Sequence, residues 1–160
     1  MKYRASAEIL GKKLLGFLQC ISDKSVRFDS YLCQFDFKKK TVEIHEKELI
    51  LLEGNLIGKN SFSKLQKIII DDCVISIKRP KFSLVAFRDV SIISKDYVIN
   101  INGLSSSLDE LNIGIYGNIK IDYLGRWIDC DFNKKYLMEA MVITSFIYLF
   151  CNENRVSEGG

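Results

Sequence analysis

The apolar and polar positions of this chain change period twice. Over residues 1–23, Ile9, Leu10, Leu14, Phe17, Leu18 and Ile21 recur at three- and four-residue steps, with Lys12, Lys13 and Gln19 elsewhere on the wheel. That spacing predicts an amphipathic helix lying on a sheet. From Ser25 the period becomes two. Val26 and Phe28, then Cys33, Phe35 and Phe37, then Val42 and Ile44 alternate with polar residues, and short strands of this kind follow one another to Phe132. Such alternation is what a sheet with one buried and one wet face requires. Past Phe132 the pattern turns helical again. Leu137, Met138, Met141, Val142, Phe146, Leu149 and Phe150 predict a helix over 134–151, followed by a flexible polar tail, 152–160.

The middle of the sheet region repeats itself. Leu65-Gln-Lys-Ile68-Ile-Ile70, Phe87-Arg-Asp-Val90-Ser-Ile92 and Leu108-Asp-Glu-Leu111-Asn-Ile113 share one phrase, and each precedes a second alternating run. The starts fall 22 and then 21 residues apart (65 to 87, 87 to 108). A near-fixed period over 65–121 marks repeated supersecondary units. Each phrase is predicted to be a strand and each following run its hairpin partner. Ile68/Ile70, Val90/Ile92 and Leu111/Ile113 should then share one face. Gly54-Asn55, Asp71-Asp72, Ser94-Lys95-Asp96 and Gly117-Asn118 read as turns, while Gly114 falls inside a strand. The fold class is therefore mainly β with flanking helices (α+β). It is a single domain, 1–160, built on a long antiparallel meander over 25–132, curled or groove-like.

Composition supports the sheet and limits the chemistry. The chain has 160 residues, 48% of them apolar and 27% charged, enough for one domain with a real core. Its formal charge of +3 is too small to argue for nucleic acid, and no nucleic-acid partner is expected. The dense basic run Lys38-Lys39-Lys40 falls where two strands meet and reads as a solvated hairpin tip, with contact to phosphate or anionic lipid as the other reading. Glu8, Lys12 and Lys13 interrupt the first apolar stretch, so it reads as neither signal peptide nor membrane span. Ala140–Cys151 carries no charge but is too short to cross a bilayer, which takes about 20 residues. Cys20, Cys33, Cys73, Cys130 and Cys151 are odd in number and lack a C-x-x-C pair, so buried free thiols are expected.

No catalytic constellation emerges, and the chain is expected not to be an enzyme. His45 is the one histidine and falls on the polar phase of its strand. Asp129 and Asp131, like Glu43 and His45, sit at i and i+2 and read as a solvated strand face. Catalytic residues, metal ligands and cofactors are all expected to be none. Gly114-Ile-Tyr-Gly117 lacks the third glycine of a dinucleotide fingerprint.

The run of an amphipathic helix, the strand Ser25-Val-Arg-Phe28 and the repeated phrases resembles the N-terminal part of AsmA-like proteins. The stretch from Ile101 through Gly103, Leu108, Leu111, Gly114 and Gly117 to Ile119 is similar to the short strand units of that group. The resemblance covers about residues 5–132. It implies a repeating β-groove of the bridge-like lipid-transfer kind, whose concave apolar face contacts acyl chains. The lining residues would be Ile68, Ile70, Ile75, Ile77, Val90, Ile92, Ile99, Ile101, Leu111, Ile113, Ile115, Ile119 and Ile121. A lipid or a membrane surface is the partner so implied, with a place in the cell envelope. The membrane anchor usual in that group is not visible here. The other reading is a structural or protein-interaction sheet with no small-molecule ligand. Its apolar face would be filled by the protein's own side chains, and a protein partner would be recruited through an edge strand or the 134–151 helix.

Overall fold

The computed structural model describes residues 1–9, 23–80, 87–105 and 107–159. Twelve strands form one antiparallel sheet. In chain order they are β1 (Lys2–Ile9), β2 (Asp23–Phe28), β3 (Tyr31–Asp36), β4 (Thr41–Glu46), β5 (Leu49–Gly58), β6 (Leu65–Ile70), β7 (Cys73–Lys78), β8 (Arg88–Ile93), β9 (Val98–Leu104), β10 (Glu110–Asn112), β11 (Gly117–Ile121) and β12 (Ile128–Phe132). One helix, α1 (Leu137–Gly159), follows them.

The sheet order is β10-β11-β12-β1-β2-β3-β4-β5-β6-β7-β8-β9. Every sequential pair from β1 to β9 is a neighbour, as short connections demand. The meander also joins head to tail, because β1 pairs with β12. The break falls between β9 and β10, for which no ladder forms among the described residues. The two edges nevertheless meet. Tyr97, just before β9, shares a hydroxyl–hydroxyl hydrogen bond with Tyr116 before β11. Ile99 of β9 packs over Gly114, where a β-carbon would stand 3.1 Å from Ile99 Cδ1. A twisted sheet of this length must curl, and here the curl wraps around α1.

The helix is the core of the molecule. Every residue from Ala140 to Cys151 is buried. A helix apolar on all sides has to be enclosed. It packs on β2, β3, β4, β11 and β12 and on the 3-10 turn Phe62–Lys64. Phe62 lies edge-on to Phe35 at 5.1 Å and to Phe37 at 4.8 Å, and 6.5 Å from Phe146 of α1. These rings and the inward residues of the strands form one continuous core.

The predicted strand pairs of the repeat are present: β6 with β7, β8 with β9, and β10 with β11. Ile68, Ile70, Val90, Ile92 and Ile113 are buried and Leu111 half-buried, so the three phrases do share the inner face. Five expectations need correction. Gly54-Asn55 is not a turn but lies inside β5, and Gly117-Asn118 is not a turn but begins β11. Lys2–Ile9 is a strand, not the start of a helix, because it bridges β12 and β2 and closes the meander's two ends. The rest of that predicted helix, residues 10–22, lies outside the described residues. Gly114 is not inside a strand. It has φ +64 and opens a 3-10 turn, Gly114–Tyr116, that interrupts the third unit. The C-terminal helix does not end at residue 151 but continues to Gly159, through what polarity marked as a tail.

Candidate functional site

The inner face is where the lipid-groove residues lie. Ile68, Ile70, Ile75, Ile77, Val90, Ile92, Ile101, Ile113, Ile119 and Ile121 are buried, in the same core as α1. Ile99 and Leu111 are half-buried against it, and Ile115 is exposed on the 3-10 turn. The concave face thus exists as the alternation required. Its occupant is the chain's own helix, so the face is filled by the protein's own side chains.

The chemistry-bearing side chains do not converge. His45 stands on the outer face of β4, its Nε2 3.3 Å from Glu43 Oε2. Asp129 accepts a hydrogen bond from Arg4 Nε at 2.8 Å, and the Arg4 guanidinium stacks on Trp127 at 4.7 Å. Along this outer face Glu110, Lys120, Asp129 and Arg4 stand opposite one another in turn, so the charges alternate across β10, β11, β12 and β1. Asp131 is opposite Lys2 in the same face. The concavity there, about 560 Å³, is an open surface lined by charges of both signs, Lys2 and Lys120 with Glu110, Asp129 and Asp131. Among the described residues no group of three or more His, Cys, Asp or Glu could hold a metal ion.

Cys33, Cys73, Cys130 and Cys151 are free and buried, as expected; Cys20 lies outside the described residues. Burial pushes the Cys33 and Cys130 thiols up to about 12, which keeps them protonated and unreactive.

A polar cluster does gather at the N-terminal end of α1. Tyr97, Tyr116 and Tyr136 pack edge-on at 5.6 to 5.9 Å. Cys73 Sγ lies 3.8 Å from the Tyr116 hydroxyl, and the Tyr97 hydroxyl donates to Glu139 Oε2 at 3.5 Å. Desolvation raises the Tyr116 pKa, as does its hydrogen bond with Tyr97, so this phenol stays a donor. Burial also raises Glu139 above the usual carboxylate range, with Asp71 adding to it and the Tyr97 hydrogen bond opposing it. A carboxyl whose folded pKa exceeds its unfolded value costs stability once it ionises, and costs nothing well below the unfolded value. Glu139→Gln should therefore raise the melting temperature at pH 7, and the gain should vanish toward pH 4. Melting curves of the two proteins between those pH values check this.

The outer face holds the feature that sequence reasoning missed. Ile69 is opposite Val74, Val74 opposite Ile93, and Ile93 opposite Val98. Directly opposed residues share a face, so these four form an aliphatic row across β6, β7, β8 and β9. It ends at the sheet edge, where Ile93 is 45% and Val98 60% exposed. The next row, Lys67, Ser76, Ser91 and Asn100, is polar. The signal was in the sequence. Ile69 and Ile93 are apolar residues in the outward phase, each beside an inward Ile. No family model, curated protein or solved structure matches this chain. The reading of its function therefore rests on its own faces: an inner one filled by α1 and an outer one carrying an uncovered aliphatic row. β9 itself, Val98-Ile-Asn-Ile-Asn-Gly-Leu104, contains no charge and no proline. Edge strands that avoid association normally carry such blockers.

Proposed function

We propose that this chain is a non-enzymatic structural and protein-interaction module that works through the outer face of β6–β9. The observation that carries this reading is the burial of α1 on the inner face, together with the exposure of Ile93 and Val98 on the outer one. Acyl chains against Ile68, Ile75 or Ile92, as the AsmA-like resemblance implies, would have to displace the side chains that bury these residues in the common core. The same burial argues against Ala140–Cys151 as a partner-binding surface and favours the sheet edge and its flanking row.

The partner we assign is a second copy of the chain. Two copies related by a two-fold axis present the same patch to each other. Reversing the polar row sets Lys67 of one copy against Asn100 of the other, so no like charges oppose, and the aliphatic rows stack as two sheets do. Concentration-dependent light scattering tests it. The wild type is expected to dimerise, and Ile93→Lys or Val98→Lys to weaken the dimer at least about tenfold without unfolding the monomer, since both residues are exposed. A wild type that stays monomeric overturns the reading. Lipid co-purifying with the protein, found by mass spectrometry, would return the inner face to consideration.

A further inference from the structure

A second concavity, about 350 Å³, opens at the C-terminal end of α1, between the ends of β5, β6, β7 and β8. Its floor is Leu65 and Ile77; its walls carry Lys59, Lys64, Arg79 and Arg88, with Ser63 and Gln66. Four cations and no carboxylate line it. Among the described residues none of these four cations has a carboxylate partner. Glu153 of α1 lies against Ser63, where it accepts from the Phe62 and Ser63 amides at 3.2 Å and from Ser63 Oγ at 2.8 Å, and pairs with Lys24 at 3.7 Å.

Arg88 is the unusual member. It is only 4% exposed, and a buried guanidinium is costly unless an anion answers it. Its described hydrogen bonds go to two carbonyls, Phe87 O at 2.7 Å and Ser63 O at 2.6 Å. Its face lies over the Phe150 ring at 5.5 Å. Of five N–H donors on a guanidinium, those two bonds leave three. Burial and then the neighbouring positive charge of Arg79 lower its pKa.

We infer that the pocket of Lys59, Lys64, Arg79 and Arg88 is a binding site for a phosphate-class oxyanion. Arginine pairs fit tetrahedral oxyanions through parallel N–H donors, and the lysines add mobile point charges. The hairpin turn holding Lys38, Lys39 and Lys40 joins the same rim, since Lys40 Nζ donates to Gly58 O at the end of β5. The opposite end of the sheet is mixed in charge, with Asp29, Asp71, Asp72 and Asp96 in its turns beside Lys47 and Lys95. The site is distinct from the outer aliphatic row, and either assignment can fail without the other.

The test uses the full chain and inorganic phosphate, followed by amide chemical shifts. Saturable shifts are expected at Ser63, Lys64, Leu65 and Ile77. The exposed double variant Arg79→Gln/Lys64→Gln should weaken binding about tenfold or more. Lys134→Gln/Lys135→Gln, at the other end, should leave it unchanged. Vesicles of phosphatidylcholine with and without phosphatidic acid separate the sources. Retention on the doped vesicles alone, lost in the first variant and competed by phosphate, identifies a lipid headgroup. Binding of phosphate without retention identifies a soluble phosphate compound. No saturable shift at these residues, or equal loss in both double variants, overturns the site. Arg88→Gln is not needed, so a folding defect there does not confuse the outcome.

Discussion

A chain ending at Asn133, without α1, is expected to lose its cooperative fold. Met141, Val142, Ile143, Phe146, Ile147, Tyr148 and Phe150 are all at most 1% exposed, and each contacts a sheet face that faces water once the helix is gone. Burying one large apolar side chain contributes about 1.5–3 kcal/mol. Five such residues already match the whole net stability of an ordinary domain, about 5–15 kcal/mol. The sheet would also expose Val26, Phe35, Ile44, Ile68 and Ile92 on one continuous surface. Near-UV circular dichroism and dye binding should report a collapsed, loosely packed or aggregating chain. The single change Phe146→Ala should cost about 3–5 kcal/mol in urea unfolding, because its ring sits between Phe62 and Phe150 with no room to relax. A truncated chain that still unfolds cooperatively would mean that the curled sheet stands by itself, and that its inner face is open to other ligands.

Much of this fold was legible because a sheet with one buried face writes its register into the sequence. Most inward positions within the strands from Val26 to Phe132 follow from period two, and the three repeat phrases landed on one face as their spacing required. The boundary errors have a different origin. Lys2–Ile9 has a weak pattern, since of Tyr3, Ala5 and Ala7 only Ala5 is fully buried, and its strand state is imposed by β12 and β2 on either side. Pairing partners more than a hundred residues apart leave no local mark. The same holds for the break between β9 and β10. The third repeat unit looks continuous with the second, yet it sits on the far edge of the sheet. The helix was legible as a helix that packs on the sheet, but not as one buried at every residue from Ala140 to Cys151. An uncharged run that is too short for a membrane fits a covering helix as well as an enclosed one. The cationic pocket was least visible of all, because Lys59 and Lys64 come from the β5–β6 connection, Arg79 from the β7–β8 connection and Arg88 from the start of β8. Thr144, buried in the middle of α1 with no hydrogen-bond partner for its hydroxyl among the described residues, has no structural explanation here.

Gly117→Ala should be among the most damaging single substitutions in the chain. Gly117 opens β11 opposite Phe132, and its φ of +126 lies where side-chain-bearing residues rarely go. A β-carbon there would stand 2.0 Å from the carbonyl oxygen of Asp131 and 3.0 Å from Phe132 Cα, both backbone atoms. Neither can rotate away, so β11 must shift relative to β12. That shift reaches further than one residue. Gly117 O accepts from Ile113 N at 2.9 Å, and Asn133 N donates to Tyr116 O at 2.9 Å, so the 3-10 turn and the entry to α1 hang on the same few atoms. Strain of this kind costs about 1–3 kcal/mol for the backbone alone, and the clash adds to it, for a loss of about 3 kcal/mol or more. Gly103→Ala supplies the contrast. Gly103 also has positive φ, +72, but nothing lies within 4 Å of its would-be β-carbon, so only the backbone term applies. Urea midpoints should rank wild type, then Gly103→Ala, then Gly117→Ala well below. Equal losses in the two variants would mean that the close approach of β12, and with it the head-to-tail joining of the meander, is not what positions the end of the sheet over α1.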